Sequence, residues 1–506
     1  MKRMVDDRLK TALLLVFAAF VARMSLSPLE VDYGNVVDYG LKPYEYCNIN
    51  GTLPVDFGFY VCSGERLLEG KTVYKDYSIY PSVFQSLNYP PAFPLTIAAT
   101  IYIFGVNFIA IKSIAVVFDV GLVLLIYLAG KRVRGENAGL AAAALYGFSY
   151  IPLMSSGLFG TSNHGFMFMT LYSVYLALSG QYLVSALALG IGLMFKVSAL
   201  LYLPPILYYV FRRGGWKKTL SYSIVFCLFF AALIVPFALE EGKAIAEPFL
   251  LSGSDVDGLG FMNLARLTYG LPYHLLHPDM LLRDKDVNDP MNLKTGTNPF
   301  AIILKALAFP FRILAFALVA YYASKNRLKN REVELFRNIA VLVAAVSLAN
   351  NVFFDFYTMW FIPYALVLLC ADSKKIGKTV LAGFVLTFCA VFIHGFVWTQ
   401  DYFRPMAEVV SLNLSLCLAV AGAYLMFGVL ERRKRLVLTG LTAVCAYYQI
   451  QHALPLRVFY PLLQGFMGLE RFRQANIYGL LYLSILGTIA AVFLILREVH
   501  RETRGD

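Results

Sequence analysis

The sequence predicts an all-α protein that crosses a membrane many times, on three observations. The chain of 506 residues is 59% hydrophobic, only 15% of it is charged, and its mean hydropathy is +0.63, well beyond a soluble domain. Apolar runs of helical length recur from end to end. Lysine and arginine gather in short clusters between those runs, as cytoplasmic loops of a membrane protein require. The net charge of +12 is therefore read as topology, and nucleic acid is not expected as a partner.

The N-terminal stretch is basic (Lys2, Arg3, Arg8, Lys10) and then apolar from Thr11 to about Leu26. No small-residue cleavage site follows, so it reads as the first membrane helix and not as a signal peptide. Further apolar runs fall near 107–130, 137–155, 164–179, 181–196, 197–211, 219–238, 299–323, 338–350, 352–371, 379–397, 408–430, 436–451 and 476–496. Together they predict about 12–14 transmembrane helices. Residues 93–106 are too short to span, begin among prolines and end by Gly105, so they read as a helix lying in the outer interface.

With that helix not crossing and both termini in the cytoplasm, the basic clusters all fall inside: Lys131/Arg132/Arg134, Arg212/Arg213/Lys217/Lys218, Lys325 to Arg337, Lys374/Lys375/Lys378, Arg432 to Arg435 and Arg497/Arg501/Arg504. The same parity puts the loops 29–106, 239–298, 398–407 and 452–475 outside. These are rich in Tyr, Asp, Pro and Gly, the usual carriers of an active site on a rigid scaffold. No soluble domain or strong repeat interrupts the chain, so 1–506 reads as a single membrane domain.

Seven cysteines follow no metal-binding spacing. Cys227, Cys370, Cys389, Cys417 and Cys445 lie in or against apolar spans, while Cys47 and Cys62 share the first outer loop, as a disulfide or as two thiols. Asn50-Gly51-Thr52 in that loop is a glycosylation sequon, meaningful only if the loop is outside. His274 and His277 before Asp279 lack a third ligand at fixed spacing and read as loop histidines, so no metal site is expected.

The first outer loop carries the most specific pattern. Asp56 and Tyr60 form a D-x3-Y step, Gly70 and Tyr74 a G-x3-Y step, and Tyr89-Pro90-Pro91 leads into a new apolar helix. This order resembles the first outer loop of the GT-C membrane glycosyltransferases, most of all the branch that includes the polyprenol-phosphate-mannose-dependent mannosyltransferases. The likeness is specific over this loop and architectural over the rest of the chain, with long outer loops carrying short interfacial helices. It implies a glycosyltransferase that moves a hexose, by the family's habit mannose, from a polyprenyl or dolichyl phosphate to a hydroxyl of a lipid-linked or other glycan acceptor. The active site would face the outside or lumen, in a plasma membrane, or in the endoplasmic reticulum if the source is eukaryotic.

That chemistry asks little of the protein. A phosphate leaves as a stable anion, so one base for the acceptor hydroxyl and a few cationic groups for the phosphate suffice, whereas a glycoside hydrolase normally requires two carboxylates. Asp56 follows Pro54 and suits a helix cap; the resemblance makes it the catalytic base, at the head of a short helix. Asp32 and Asp38, each in an Asp-Tyr-Gly turn, are its rivals. Tyr60 and Tyr89 support the motif.

Lys112 and Asp119 lie two turns apart on one helical face. An acid inside an apolar span is costly unless paired and marks either a functional interior or a structural pair; Lys112, nearer the outer end, is a candidate for the donor phosphate. Lys196, after Gly190 and Gly192 and before Pro204-Pro205, is a second, against simple snorkelling. Arg404 and Arg457 suit phosphate by the geometry of their guanidinium groups. Many GT-C proteins place a second acid after the third helix, where it helps bind a divalent cation in metal-dependent members. Here Gly160-Thr161-Ser162-Asn163-His164 has none, which implies a metal-independent enzyme with no cofactor beyond its lipid-linked donor.

Two other classes fit the composition: a lipid or solute transporter or flippase, and a non-catalytic assembly subunit. Transporters place their polar residues at the midplane between repeated halves, whereas the polar residues here collect in outer loops.

Overall fold

The computed structural model describes residues 2–29, 55–71, 73–74, 89–242, 313–349, 355–371, 373–374, 376–399, 405–454, 489–490, 492–497 and 500. Most of these residues are helical, and none of them lies in a strand. Among the described residues, four helical stretches are long and apolar enough to cross a bilayer: Leu9–Leu26, Phe108–Arg134, Val197–Glu241 and Lys378–Gly395. A fifth arises if Glu136–Gly147 and Tyr150–Leu158, bent by 51° against each other, form one span. The expected runs at 299–323 and 476–496 fall largely outside the described residues, as do the loops at 239–298 and 452–475.

The elements run α1 (Lys2–Leu26), α2 (Val55–Leu68), α3 (Ala92–Phe104), α4 (Phe108–Arg134), α5 (Glu136–Gly147) and α6 (Tyr150–Pro152), which passes into a π-helical turn at Leu153–Leu158. After it come α7 (Asn163–Leu178), α8 (Tyr182–Phe195), a 3-10 turn at Val197–Tyr202 and α9 (Leu203–Glu241). The later part holds α10 (Ile313–Lys325), α11 (Arg331–Ala349), a 3-10 turn at Asp355–Trp360, α12 (Ile362–Leu369), α13 (Lys378–Thr399), α14 (Pro405–Met426) and α15 (Arg432–Leu454). The runs at 197–211 and 219–238 meet in α9, which is broken at Gly215 with φ 75° and ψ 178°. Only glycine reaches that conformation freely. The run at 352–371 divides into a 3-10 turn and the short α12.

Apolar burial does not drive helices together inside lipid, so close approach over small residues takes its place. α5 holds a run of four alanines and two glycines, and it lies directly on α4, where a Cβ on Gly130 would stand 2.8 Å from Gly139 Cα. α13 and α14 cross the same way, Gly383 against the backbone of Met426 and Gly422 against Thr387. Around this, α4 contacts α1, α5 and α7, and α8 lies between α7 and α9.

α4 is 27 residues long, so its rise of about 1.5 Å per residue separates its ends by roughly 40 Å. At its Arg134 end the basic clusters converge. Arg132 Nε lies 3.4 Å and Arg213 Nη1 3.4 Å from Glu332, while Arg212 Nη1 lies 3.3 Å from Glu334. Lys131 pairs with Glu136 at 2.9 Å, and Lys434 donates to the Leu369 carbonyl at 3.3 Å. Clusters far apart in sequence thus share one face of the molecule, the arrangement that the charge parity requires. The opposite end of α4 begins at Asn107, whose side chain caps the helix by accepting from the Ala110 amide at 3.0 Å.

α3, 13 residues long, reaches only about 20 Å and falls short of a bilayer core of roughly 30 Å. Its far end exposes Tyr102, Ile103 and Phe104.

Between the two faces sits a buried ion pair. Arg23 of α1 and Asp119 of α4 are both fully buried, with Nε 2.6 Å from Oδ2. Removing one partner strands the other charge in a low-dielectric interior. Arg23→Ala or Asp119→Leu alone is expected to cost about 3–5 kcal/mol, and Arg23→Met with Asp119→Leu together to recover most of it, as read from thermal melting in detergent. A cysteine placed at Asn330 is expected to react with impermeant reagents only after the membrane is opened; labelling in intact cells would overturn the assignment of that face to the cytoplasm.

Candidate active site

The first-loop motif folds into one cluster at the Asn107 end of α4. The helix α2 starts at Val55, so Asp56 stands in its first turn, four residues before Tyr60 and by that spacing on the same face. Gly70 at φ 69° ends the segment in the left-handed region, which turns the chain back towards Tyr74. The Tyr74 hydroxyl donates to the Tyr89 carbonyl at 2.7 Å, just ahead of Pro90-Pro91, which open α3. Burial, and then the Glu241 carboxylate, pushes the Tyr74 phenol well above its ordinary range, so it stays a donor. The Val73 amide donates to Glu241 at the end of α9 at 3.1 Å. Each step of the pattern thus has a physical counterpart in a helix, a glycine that ends it, and a tyrosine that ties the return to the next helix.

The aromatic rings complete the cluster. Tyr60 meets Phe93 edge-on at 4.6 Å and Tyr89 at 5.6 Å. The Tyr60 hydroxyl is 3.4 Å from that of Tyr89 and accepts a long hydrogen bond, also 3.4 Å, from the Ser162 amide. That bond joins α2 to the turn at 160–163. α2 lies on α3 because Gly64 allows it: a Cβ there would stand 2.7 Å from Ile97 Cγ2 and 3.1 Å from the Ala98 amide nitrogen.

The turn at 160–163 carries the next group. Asn163, at the start of α7, accepts from Lys196 Nζ at 2.8 Å, and the ammonium lies 5.2 Å over the Trp360 ring and 5.9 Å over Phe166. Lys196 is half-buried at the end of α8. A pocket opens beside it, its walls from Phe93 and Ile97 of α3, Ile111 and Phe118 of α4, and Phe195, with Gly160, Thr161 and Ser162 as its polar edge. The enclosed space is about what a single water needs.

Lys112 is turned inward. It is fully buried, and its ammonium donates to the carbonyls of Leu29 at 2.7 Å and Ser27 at 3.2 Å, with the Phe108 ring 4.1 Å away. In this structure it caps the end of α1, where helix carbonyls lack intrahelical donors. Asp119 lies deeper. Its Oδ2 accepts from Arg23 at 2.6 Å and Ser156 at 2.7 Å; its Oδ1 accepts from Tyr146 at 2.7 Å and faces His164 Nδ1 at 3.2 Å. Arg23 Nη1 donates to the carbonyls of Ala19 and Gly147. The structure therefore brings Tyr60, Tyr89 and Lys196 together around the 160–163 turn and sets Lys112 and Asp119 into the packing beneath it.

Sequence reasoning missed Arg23, Ser155, Ser156 and the role of His164. A lone arginine within the first apolar span was the available signal, since the lone acid in α4 needs a cation. Cys62 is disulfide-bonded, and Cys227, Cys370, Cys389, Cys417 and Cys445 are free thiols. The Asp56 side chain, Asp32, Asp38, Cys47, Asn50, His274, His277, Asp279, Arg404 and Arg457 lie outside the described residues. Among the described residues no cluster of three His, Cys, Asp or Glu is placed to hold a metal ion.

Residues 88–239 match the family model of the dolichyl-phosphate-mannose-protein mannosyltransferases. The chain resembles the GT-C glycosyltransferases. The matched segment includes Tyr89, Lys112, Asp119 and Lys196 and begins after Asp56. No curated protein matches the chain. Among solved structures it is similar to ArnT from Cupriavidus metallidurans bound to undecaprenyl phosphate, at 12% identity and TM-score 0.45, over 97% of this chain and 78% of that one. It is also similar to the Archaeoglobus fulgidus oligosaccharyltransferase in the apo form, at 12% identity and TM-score 0.42, over 92% of this chain and 59% of that one. No residue role follows from likenesses at that level.

The close approach at Gly64 can be tested directly. Gly64→Val is expected to push α2 off α3, since the Ala98 backbone cannot yield, at a cost of about 1–3 kcal/mol. Lower melting temperature and faster proteolysis within 55–71 would register it; unchanged protection would show that α2 is held elsewhere.

Proposed function

We propose that the chain is a membrane glycosyltransferase that moves one hexose from a polyprenyl or dolichyl phosphate to a hydroxyl on the outer or lumenal face. The observation that carries this reading is the meeting of the Asp56–Tyr60 helix with the Asn163–Lys196 pair through the bond from the Ser162 amide to Tyr60. A carboxylate-bearing helix and a cation thereby share one end of the molecule, opposite the basic face, and the match to a family of lipid-phosphate-mannose transferases covers the cation's half of the site.

On this reading Lys196 attracts the donor phosphate and the acceptor hydroxyl approaches beside α2. The acceptor oxygen forms a bond to the anomeric carbon while the bond from that carbon to the phosphate oxygen breaks, its electron pair leaving with the phosphate. The proton released goes to the Asp56 carboxylate. A single displacement inverts the anomeric centre. Mannose is the sugar suggested by the matched family, the acceptor is a lipid-linked or other glycan, and the reaction needs no cofactor other than its lipid-linked donor. Arg404 and Arg457 are further candidates for the phosphate. The Asp56–Tyr60 helix and Lys196 meet at one end, while the charges at mid-depth, Arg23 and Asp119, pair with each other, which favours this reading over a transporter.

Asp56→Asn is expected to lower transfer from lipid-phosphate sugars about 10²–10⁴-fold and to leave donor binding and melting temperature near wild type. An amide keeps the size of the carboxylate but cannot take the proton. Full activity in Asp56→Asn, with loss in Asp32→Asn or Asp38→Asn, would move the base elsewhere in the same loop; activity in all three would remove the glycosyltransferase reading.

A further inference from the structure

The long helix α9 consists of two helices joined at Gly215, whose left-handed φ of 75° turns the chain. Around the break the sequence reads Phe211-Arg212-Arg213-Gly214-Gly215-Trp216-Lys217-Lys218, and the fold gathers these residues into one cationic corner. Arg213 Nη1 donates to the Leu178 carbonyl at the end of α7 at 3.0 Å, while Lys218 Nζ stands 5.5 Å over the Tyr182 ring at the start of α8. Both cations are thereby tied to the same short turn between α7 and α8. Gly214 makes room for this: a Cβ there would stand 2.6 Å from Lys218 Cδ, so the lysine stem lies back across the break.

The corner carries more positive charge than its neighbours cancel. Arg132 and Arg213 share the carboxylate of Glu332, and Arg212 and Arg337 share that of Glu334. Among the described residues Lys217 and Lys218 pair with no carboxylate. Arg213, Trp216, Lys217 and Lys218 are all exposed, so the excess faces outward.

The helix beyond the break indicates what lies outside. Trp216, Leu220, Ile224 and Leu228 are exposed, and their spacing of four sets them in one stripe that runs from the cations along the helix. The opposite face is the packed one. After the break only Tyr222, Phe226 and Glu241 of α9 are buried, and the Tyr222 hydroxyl lies 3.4 Å from those of Ser173 in α7 and Ser185 in α8. Cations, then a tryptophan, then an apolar stripe follow the order of groups in a phospholipid: phosphate, interface, acyl chain. A free anion or a nucleic acid would use the cations and leave the stripe without a partner.

We propose that the break in α9 is a binding site for one anionic phospholipid, its headgroup phosphate held by Arg213, Lys217 and Lys218 and one acyl chain lying along Leu220, Ile224 and Leu228. The site belongs to the basic face, at the far end of the bundle from Lys196, so this lipid is not the sugar donor and the assignment does not depend on the glycosyltransferase reading. The phosphate supplies negative charge that Glu332 and Glu334 leave short, and it bridges the two halves of α9 at their break.

The test places the full chain in phosphatidylcholine bilayers and measures quenching of Trp216 by phospholipids brominated on the acyl chain, with Trp216→Phe giving the share of the signal that comes from this residue. At equal mole fraction, brominated phosphatidylglycerol is expected to quench that share more strongly than brominated phosphatidylcholine. Lys217→Gln and Lys218→Gln should each lower the preference about fivefold, while Lys217→Arg with Lys218→Arg keeps it. Arg432→Gln with Arg433→Gln, at the start of α15, removes as much charge from the same face and should leave the preference unchanged. The proposal is overturned if the two lipids quench Trp216 alike in wild type, or if neither reaches it. It is equally overturned if the α15 pair matters as much as the lysines, since the attraction would then be a property of the whole face and not of a site.

Discussion

An ion pair excluded from water has to be held from every side, and the first half of this chain is arranged around that requirement. Asp119 accepts from Arg23, Ser156 and Tyr146 and faces His164, contributions from α1, α4, α5, the π turn and α7. The π turn follows from the same requirement. Wider than an α-helix, it lets Ser156 reach both Asp119 and Arg23 while Gly157 brings the turn's backbone onto Arg23. Such bulges often mark functional places, and this one ends in the turn that carries Thr161, Ser162 and Asn163.

Above that cluster, at the Asn107 end of α4, several close contacts among the described residues place α2. α2 owes its position to Gly64, to the ring of Tyr60 packed on Phe93 and to one long bond from Ser162. Glu241 ties the return of the loop to the end of α9. Among the described contacts, aromatic packing and the Ser162 amide link this short helix to the membrane bundle.

How much of this was legible in the sequence varied with the kind of signal. The membrane class followed from composition, and the first-loop motif was legible because glycine and proline punctuate it: Gly70 ends a helix and Pro90-Pro91 begin one. Lys196 stood out as a cation at the end of an apolar helix, and it meets the 160–163 turn at Asn163. Asp119 was conspicuous, but its partner was not, because Arg23 sits in a span that hydropathy reads as uniformly apolar. Ser155, Thr161 and His164 carry no periodic signal, since the hydrogen bonds that link them are made in space across a π turn that no pattern announces. Helix breaks at Gly147–Ser149 and Gly215 were likewise hidden inside continuous apolar runs.

The seam on the basic face also bears on the timing of assembly. Arg132 reaches Glu332 across 200 positions of sequence, and Arg213 reaches the same carboxylate across 119. At roughly 5–20 residues per second, the ribosome needs on the order of 10–40 s to make the later partner after the earlier one. During that interval Arg132, Arg212 and Arg213 stand at the membrane surface without Glu332 and Glu334. The seam between these two parts of the bundle can therefore close only once the second part has been made.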